Sequence, residues 1–452
     1  MVDLPRKAAA RTARLAALPL GYAGRRTVGL GRRIGGAPAD AVMTGIQQRT
    51  AEQVFRTLGE LKGGAMKFGQ MMSVFEAALP EDVAAPYREQ LTKLQDSAPP
   101  MATRTVREII ARDLGPDWKD RLVWLDGGPT AAASIGQVHR GRWRDEDGTE
   151  REVAVKVQYP GAAEALASDL KQLSRLARTV GPLFPGIDVK PLVEEMQARA
   201  MEELDYELEA DAQRTFAAAY AGDADVVVPG VVAVGPTVLV TEWMDSAHSL
   251  ATVIREGTTE ERDHYGELLV RFIVSAPLRT GMLHADPHPG NFRIIPADDG
   301  GLGRLGVLDY GSVARLPEGT MPTAMGSLIR LSALQDGEQL LAGLRREGFV
   351  KDKIKLDPEQ VMDYLSPLVE PTRVARFRFT REWMRTQFQR VNNPREPAYT
   401  VAIKLNLPPS YLLIHRTFVG CIGVMSQLEA EAPFVAILEE YLPGFAHEPD
   451  AG

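Results

Sequence analysis

Gly281–Ile295, GMLHADPHPGNFRII, is the stretch on which the reading of this chain turns. His284, Asp286 and Asn291 stand in it with the spacing H-x-D-x-x-x-x-N. Pro287, Pro289 and Gly290 make the intervening loop rigid and non-helical, which suits side chains that must hold a fixed constellation. After the turn-rich DDGGLG comes GVLDYGS, an apolar strand that ends in Asp309–Tyr310–Gly311. A competing reading takes His284, Asp286 and His288 as ligands of one metal ion, but two prolines in the loop hinder their convergence.

The first spacing is that of a protein-kinase catalytic loop, and Asp-Tyr-Gly matches the D-F-G step with Tyr for Phe. On this reading Asp286 orients or accepts the proton of the nucleophile. Asn291 offers an oxygen to a magnesium ion, and Asp309 is the principal metal ligand. The segments upstream fall in the matching order. PTAAASIGQVHRGRW (129–143) and REVAVKVQYPG (151–161) flank an acidic turn at Asp147–Gly148 and read as a hairpin. Its second strand carries Lys156, placed to grip the nucleotide phosphates. A helical stretch expected from Asp188 to about Tyr220 supplies the acid that such a lysine needs. Glu203 and Glu209 on one helix would point about 120° apart, so they are expected to serve different partners, and Lys67 and Lys156 are both available. Val231–Trp243 reads as a second hairpin, with Glu242 to Met244 as the hinge whose backbone meets the adenine edge.

Residues 51–79 repeat apolar side chains at helical spacing (Val54, Phe55, Leu58, Leu61, Phe68, Met72, Phe75, Leu79) around GGAMKFGQMMS. Glycines cost a helix roughly 1 kcal/mol each relative to alanine, so Gly63, Gly64 and Gly69 imply a close approach to backbone or ligand. Residues 96–128, punctuated by Pro, Asp and Gly, read as a linker around one short helix. Beyond residue 316 the patterns are helical (Met325–Leu334, Gln339–Arg346, Tyr411–Leu428), with His415 and Cys421 expected in the core.

Four stretches together resemble the UbiB/AarF family of atypical kinase-like proteins, across roughly residues 50 to 315: KFGQ (67–70), AAAS (131–134), ELDYELEA (203–210), and HADPHPGN with LDYG. The resemblance implies an α+β, two-lobed protein-kinase-like fold with an N-terminal helical extension covering the site and a largely helical C-lobe. It implies ATP or ADP and Mg²⁺ as cofactors, with Lys67 meeting Glu203 and Lys156 meeting Glu209. It also implies a link to isoprenoid quinone biosynthesis and to membrane lipid. Ala131, Ala132, Ala133 and Ser134 take the place of a glycine-rich phosphate loop. Alanine avoids the φ > 0 positions that turn backbone N–H groups onto phosphate, so an altered triphosphate grip and slow or conditional transfer are expected.

The 452 residues divide, on this reading, into a basic arm (1–50), the extension with KFGQ (51–128), an N-lobe (129–245) and a C-lobe (246–452). The arm carries nine Arg or Lys against Asp3 and Asp40, about +7, which leaves about −15 on the rest of a chain of net charge −8. Such an arm suits an anionic membrane surface, a solvated tail, a mitochondrial-type targeting segment or nucleic acid; the kinase-like motifs favour a nucleotide as partner, not nucleic acid, and the family resemblance implies an isoprenoid or quinone-type lipid. Cys421 is the single cysteine, excluding an intrachain disulfide and a cysteine metal cluster. No run of 18 or more apolar residues is present, and a cytoplasmic chain, peripheral to a membrane, is expected. Two other classes stay open: a small-molecule kinase of the aminoglycoside or choline type, and a lipid-binding, nucleotide-gated regulator whose phosphoryl transfer is vestigial.

Overall fold

The structure, a computed structural model, describes residues 100–446 apart from 134, 165, 168–169, 171–187, 298–299 and 394. The basic arm, the KFGQ helix with Lys67, and Ser134 lie outside the described residues.

The first helix, α1 (Thr103–Leu114), buries Val106, Ile109 and Ile110, spaced i, i+3 and i+4. They press on one face of an antiparallel sheet, against Val153, Val155, Val157, Val238 and Val240. The sheet runs β1 (Leu122–Leu125), β2 (Gly136–Arg144), β3 (Glu150–Gln158), then β5 (Val238–Glu242) and β4 (Val231–Gly235) at the far edge, with Ala131–Ala132 pairing β2 as an extra short strand. In β3 the three valines face α1, so Ala154 and Lys156 face the other way. Gly136 is required here by close approach: a Cβ would lie 2.4 Å from the carbonyl oxygen of Val157.

Two expectations are corrected. Of the stretch 96–128 expected to be a linker, the described residues 100–128 are not one, because α1 and β1 belong to the sheet and its core; Leu122 pairs with Trp143 and Leu125 with Gly141. The sheet layer therefore begins well before residue 129. Leu122–Leu125 is an edge strand of four residues, too short for alternation to mark it. The single helix expected from Asp188 to Tyr220 is two helices, α2 (Val189–Glu202) and α3 (Tyr206–Ala219), with Glu203 and Leu204 in the turn between them. Asp205 makes the break: its side chain accepts from the backbone N–H groups of Glu207 and Leu208 and caps α3. The 120° argument, which assumed one continuous helix, does not apply to Glu203 and Glu209.

Helix α3 packs on the sheet face opposite α1, where Tyr206 and Ala210 meet Ile135 and Leu239. Its C-terminal end is tied to the lower lobe. The Tyr220 hydroxyl and Ser275 Oγ are 3.2 Å apart. Arg279 stacks over the Tyr220 ring at 3.9 Å and donates to Asp223 at 2.7 Å. Ser275 and Arg279 lie on α5 (Thr259–Thr280), which follows a short α4 (Leu250–Glu256) and opens with a capping box between Thr258 and Glu261. It ends at Gly281, left-handed at φ 69°.

The decisive segment then forms β6 (Met282–His284), a tight loop and β7 (Phe292–Ile295). Strand β7 pairs with β8 (Arg304–Val307), and β6 pairs with β9 (Val313–Arg315). Helices follow to the C-terminal side, among them Thr323–Ala333, Gly337–Arg346 and Leu412–Leu428. Cys421 is buried there, whereas His415 is exposed and not in the core. The described chain thus has a mixed α/β, kinase-like arrangement of a sheet lobe over a helical lobe. Among the described residues no helix is long and apolar enough to cross a membrane.

Candidate active site

Strand β3 aims Lys156 out of the sheet toward α3. Its ammonium donates to both carboxylate oxygens of Glu209, at 2.8 and 2.9 Å, and stands 3.5 Å from Asp309 Oδ1. The ring of Tyr206 lies 5.1 Å below it. Burial works against the lysine's charge, but Asp309 and Glu209 outweigh it and hold the ammonium well above the ordinary lysine range. Burial pushes the Glu209 carboxyl up; Lys156 pulls it back, and Asp309 and Glu203 add to the rise. Glu203 is itself buried, near Glu209. The buried ammonium is thus compensated by two carboxylates from different elements, Glu209 on α3 and Asp309 beyond β8.

Below the sheet, His284 is fully buried, and its Nε2–H donates to the backbone carbonyls of Asp309, at 3.0 Å, and Leu308, at 3.2 Å. Burial holds its imidazole below the ordinary value, so the ring is neutral. This positions the Asp309 segment from within. Asp309 adopts φ 62°, a left-handed conformation that costs a non-glycine residue energy and marks a functional constraint. Tyr310 beyond it is buried 4.9 Å from the ring of Phe216 on α3 and 5.3 Å from that of His284. Gly311 completes the turn: a Cβ there would come within 3.3 Å of both Asp309 Oδ1 and Glu209 Oε2.

Asn291 donates its side-chain Nδ2 to the backbone oxygen of Asp286 at 3.1 Å, which locks the loop between them and leaves the amide oxygen to act as an acceptor. The Asp286 carboxylate has Arg416 Nη2 at 3.5 Å, reaching across from the helix Leu412–Leu428. His288 is turned into its own loop, its Nδ1 accepting from Gly290 N at 3.1 Å. With His284 spent on carbonyls, the alternative His/Asp metal site has no geometry behind it. Among the described residues no cluster of three or more His, Cys, Asp or Glu could hold a metal. The Asp309 carboxylate and the Asn291 amide oxygen are hard donors of the kind Mg²⁺ takes when phosphate oxygens and water complete its shell.

Above the loop, Ala131 and Ala132 are exposed and pair with Val138 and Gln137, and Ala133 N donates to Gly136 O at 2.9 Å. At the end of β5, where the sequence reading places the hinge, the Glu242 carboxylate is engaged by Gly230 N at 2.9 Å and Arg151 at 2.9 Å. Glu242 is the last residue of β5, and Met244 lies two residues beyond it. The Met244 sulfur packs against Gly306 of β8.

Two contributors, Arg416 and Asp205, went unread in the sequence, and the role of a third, His284, was read only in part. Nothing local in the sequence distinguishes Arg416, since its partner lies 130 residues upstream. Asp205 carried a readable signal, an Asp three residues before Leu208 at the entrance to an apolar stripe. His284 was placed by its spacing, but its hold on the Asp309 carbonyl depends on tertiary pairing of β6 and β9.

Comparisons with known proteins place the chain among kinase-like relatives. Residues 93–340 match the model of the ABC1 atypical kinase-like domain. The chain is 29% identical over 283 residues to the mitochondrial atypical kinase COQ8 of Schizosaccharomyces pombe, covering 62% of this chain and 44% of that one. It is 31% identical over 268 residues to the mitochondrial atypical kinase COQ8B of Rattus norvegicus, covering 59% and 48%. The chain thus spans less than half the length of these curated relatives. Among solved structures it resembles Rv3197 of Mycobacterium tuberculosis, determined as a complex with erythromycin. That match has a TM-score of 0.66 and 40% identity over 91% of this chain and 100% of the other.

Proposed function

Since this chain belongs to the ABC1 atypical kinase-like family, we propose that it binds ATP or ADP with Mg²⁺ between its lobes. It then hydrolyses ATP or transfers the terminal phosphoryl group to a small-molecule or lipid-related acceptor. The observation that carries this reading is the cluster of Lys156, Glu209 and Asp309, whose Asp309 segment is tied to the His284–Asn291 loop by His284 Nε2 on the Asp309 carbonyl and by Leu308 N on the Asn291 carbonyl. In it Lys156 holds the nucleotide phosphates, and Glu209 fixes the lysine. Asp309 and Asn291 offer the oxygens that hold Mg²⁺, whose charge would offset that building on the phosphates. Asp286 orients the attacking water or hydroxyl and accepts its proton, and Arg416 steadies that carboxylate. The backbone of Glu242 and Met244 reads the adenine edge, and the Ala131–Ser134 turn restrains the phosphates less than glycines would.

Lys67 and Glu203 are proposed to pair and to pin the segment before residue 100 over the cleft, which favours small or lipid acceptors and a role in isoprenoid quinone biosynthesis. The +7 arm is proposed to approach an anionic membrane surface. The test is steady-state ATP hydrolysis by the full chain, purified with its native lipids and assayed with and without anionic liposomes. Mg²⁺-dependent turnover that rises with liposomes supports the reading. Nucleotide binding with no turnover under any condition would leave the nucleotide-gated regulator in its place. The similarity to the chain solved with erythromycin favours a second ligand, a macrolide. An equilibrium titration with erythromycin decides that point, and no saturable binding would end it.

A further inference from the structure

Of the two histidines in HADPHPGN, His284 is fully buried and committed to the carbonyls of Leu308 and Asp309, whereas His288 is only part-buried. Pro287 and Pro289 fix the backbone on either side of His288. Its Nδ1 accepts from the Gly290 N–H at 3.1 Å and so caps the 3₁₀ turn Pro289–Asn291. Gly290 lets the ring lie there, since a Cβ at that position would stand 3.0 Å from Nδ1 and 3.2 Å from Cε1. A backbone N–H can only donate, so Nδ1 carries no proton and the proton of the neutral ring sits on Nε2. Among the described residues that Nε2–H has no partner, and protein does not enclose it. Burial lowers the imidazole from its ordinary value, and Asp286 and Asp309, both near enough to act on it, oppose that effect without reversing it. The ring is thus a neutral donor, fixed by its own loop, beside the two carboxylates that the nucleotide reading uses.

The upper lobe has few donors left for the end of a triphosphate. Lys156 is shared between Glu209 and Asp309. In the alanine turn, Ala133 N is spent on Gly136 O and Thr130 N on Val138 O. Resting on the nucleotide-binding reading above, we infer that His288 is a catalytic residue whose Nε2–H donates to a non-bridging oxygen of the terminal phosphoryl group as that group leaves ADP. In this step a bond forms from phosphorus to the oxygen of the attacking water or hydroxyl. The bond to the oxygen that bridges the β and γ phosphorus atoms breaks, and its electron pair leaves with ADP. The nucleophile's proton passes to Asp286; His288 keeps its own proton and acts only through the hydrogen bond. A neutral ring suits the position. A cation there would pair with Asp286 and draw it from the nucleophile, whereas a neutral N–H meets the charge that develops on the phosphoryl group in transit.

The test separates the two ring nitrogens. His288→Asn keeps an acceptor for Gly290 N, because Asn is a strong N-cap residue, and withdraws the donor. His288→Gln keeps a donor at the end of a longer side chain. Both are compared with wild type in steady-state Mg²⁺-ATP turnover, in thermal midpoint, and in Mg²⁺-ADP affinity with and without aluminium fluoride, a mimic of the phosphoryl group in transit. His288→Asn should lower kcat about a hundredfold, the usual loss for one such donor. It should keep ADP affinity within about twofold and lose most of the affinity that fluoride adds in wild type. His288→Gln should recover part of both losses. His288→Asn with wild-type turnover and a wild-type gain from fluoride overturns the assignment, because the side chain would then only cap the turn. A fall in ADP affinity equal to the fall in turnover also overturns it. A wild type that binds Mg²⁺-ADP but gains nothing from fluoride refutes the phosphoryl contact while leaving the nucleotide site standing. A wild type that binds no Mg²⁺-ADP removes the nucleotide-binding reading itself.

Discussion

Replacing Glu209 by Gln keeps the volume of the side chain and removes one charge from the pair it makes with Lys156. Both groups are nearly enclosed, the Glu209 side chain 3% and the Lys156 side chain 16% exposed. Breaking a buried ion pair by removing one partner costs about 3–5 kcal/mol when the other charge is left uncompensated. Here Asp309 remains 3.5 Å from the ammonium, so the low end, about 3 kcal/mol, is expected. The lysine then closes on Asp309 and competes with the metal for that carboxylate. Expressed in turnover, about 3 kcal/mol is on the order of a hundredfold. The assay is Mg²⁺-ATP turnover and Mg²⁺-ADP affinity of Glu209→Gln beside wild type, with urea unfolding as the measure of the fold. Turnover and ADP affinity within twofold of wild type would refute the reasoning. So would a loss confined to urea stability, because the pair would then be only a structural tie.

Tyr310→Phe should raise the thermal midpoint, because among the described residues the buried Tyr310 hydroxyl has no hydrogen-bond partner and an unsatisfied buried group costs about 1–3 kcal/mol; a lower midpoint would show that the hydroxyl is used. Burial holds His139 and His284 below the ordinary imidazole value. A depressed pKa gives stability that is present above the unfolded value of about 6.5 and lost as pH falls toward the folded values. The thermal midpoint should therefore drop between pH 7.5 and pH 5, and a flat profile contradicts this. Arg416→Gln should lower kcat by about tenfold and leave ADP affinity within about twofold, since Arg416 meets Asp286 and not the hinge; an equal loss in both would place it in nucleotide binding instead.

How much of this could be read beforehand depended on whether a feature was local. The Asp286–Asn291 spacing, the strand ending in Asp309 and the lysine of VAVK are each short and self-contained, and the sheet-over-helices arrangement followed from their order. Glu209 was one of many acids on a helix-like stretch; only the cap at Asp205, which starts α3, fixes which face it presents. The edge strand Leu122–Leu125 looked like linker because an edge strand of four residues carries almost no alternation, and its Trp124 is 46% exposed. Arg416 was illegible for a different reason. Its meaning comes from what folding brings opposite it, Asp286.

The account stands on Asp309 as the residue that joins metal, nucleotide and Lys156. Titrating Mg²⁺-ADP and metal-free ADP into wild type and Asp309→Asn, by calorimetry, tests that most directly. Asparagine keeps the size and the left-handed backbone, which Asn tolerates, and removes the charge. Wild type should bind ADP far more tightly with Mg²⁺ than without. Asp309→Asn, folded as judged by its thermal transition, should lose that difference. Equal Mg²⁺-ADP affinity in the two proteins would contradict the assignment of this cleft as a metal-dependent nucleotide site.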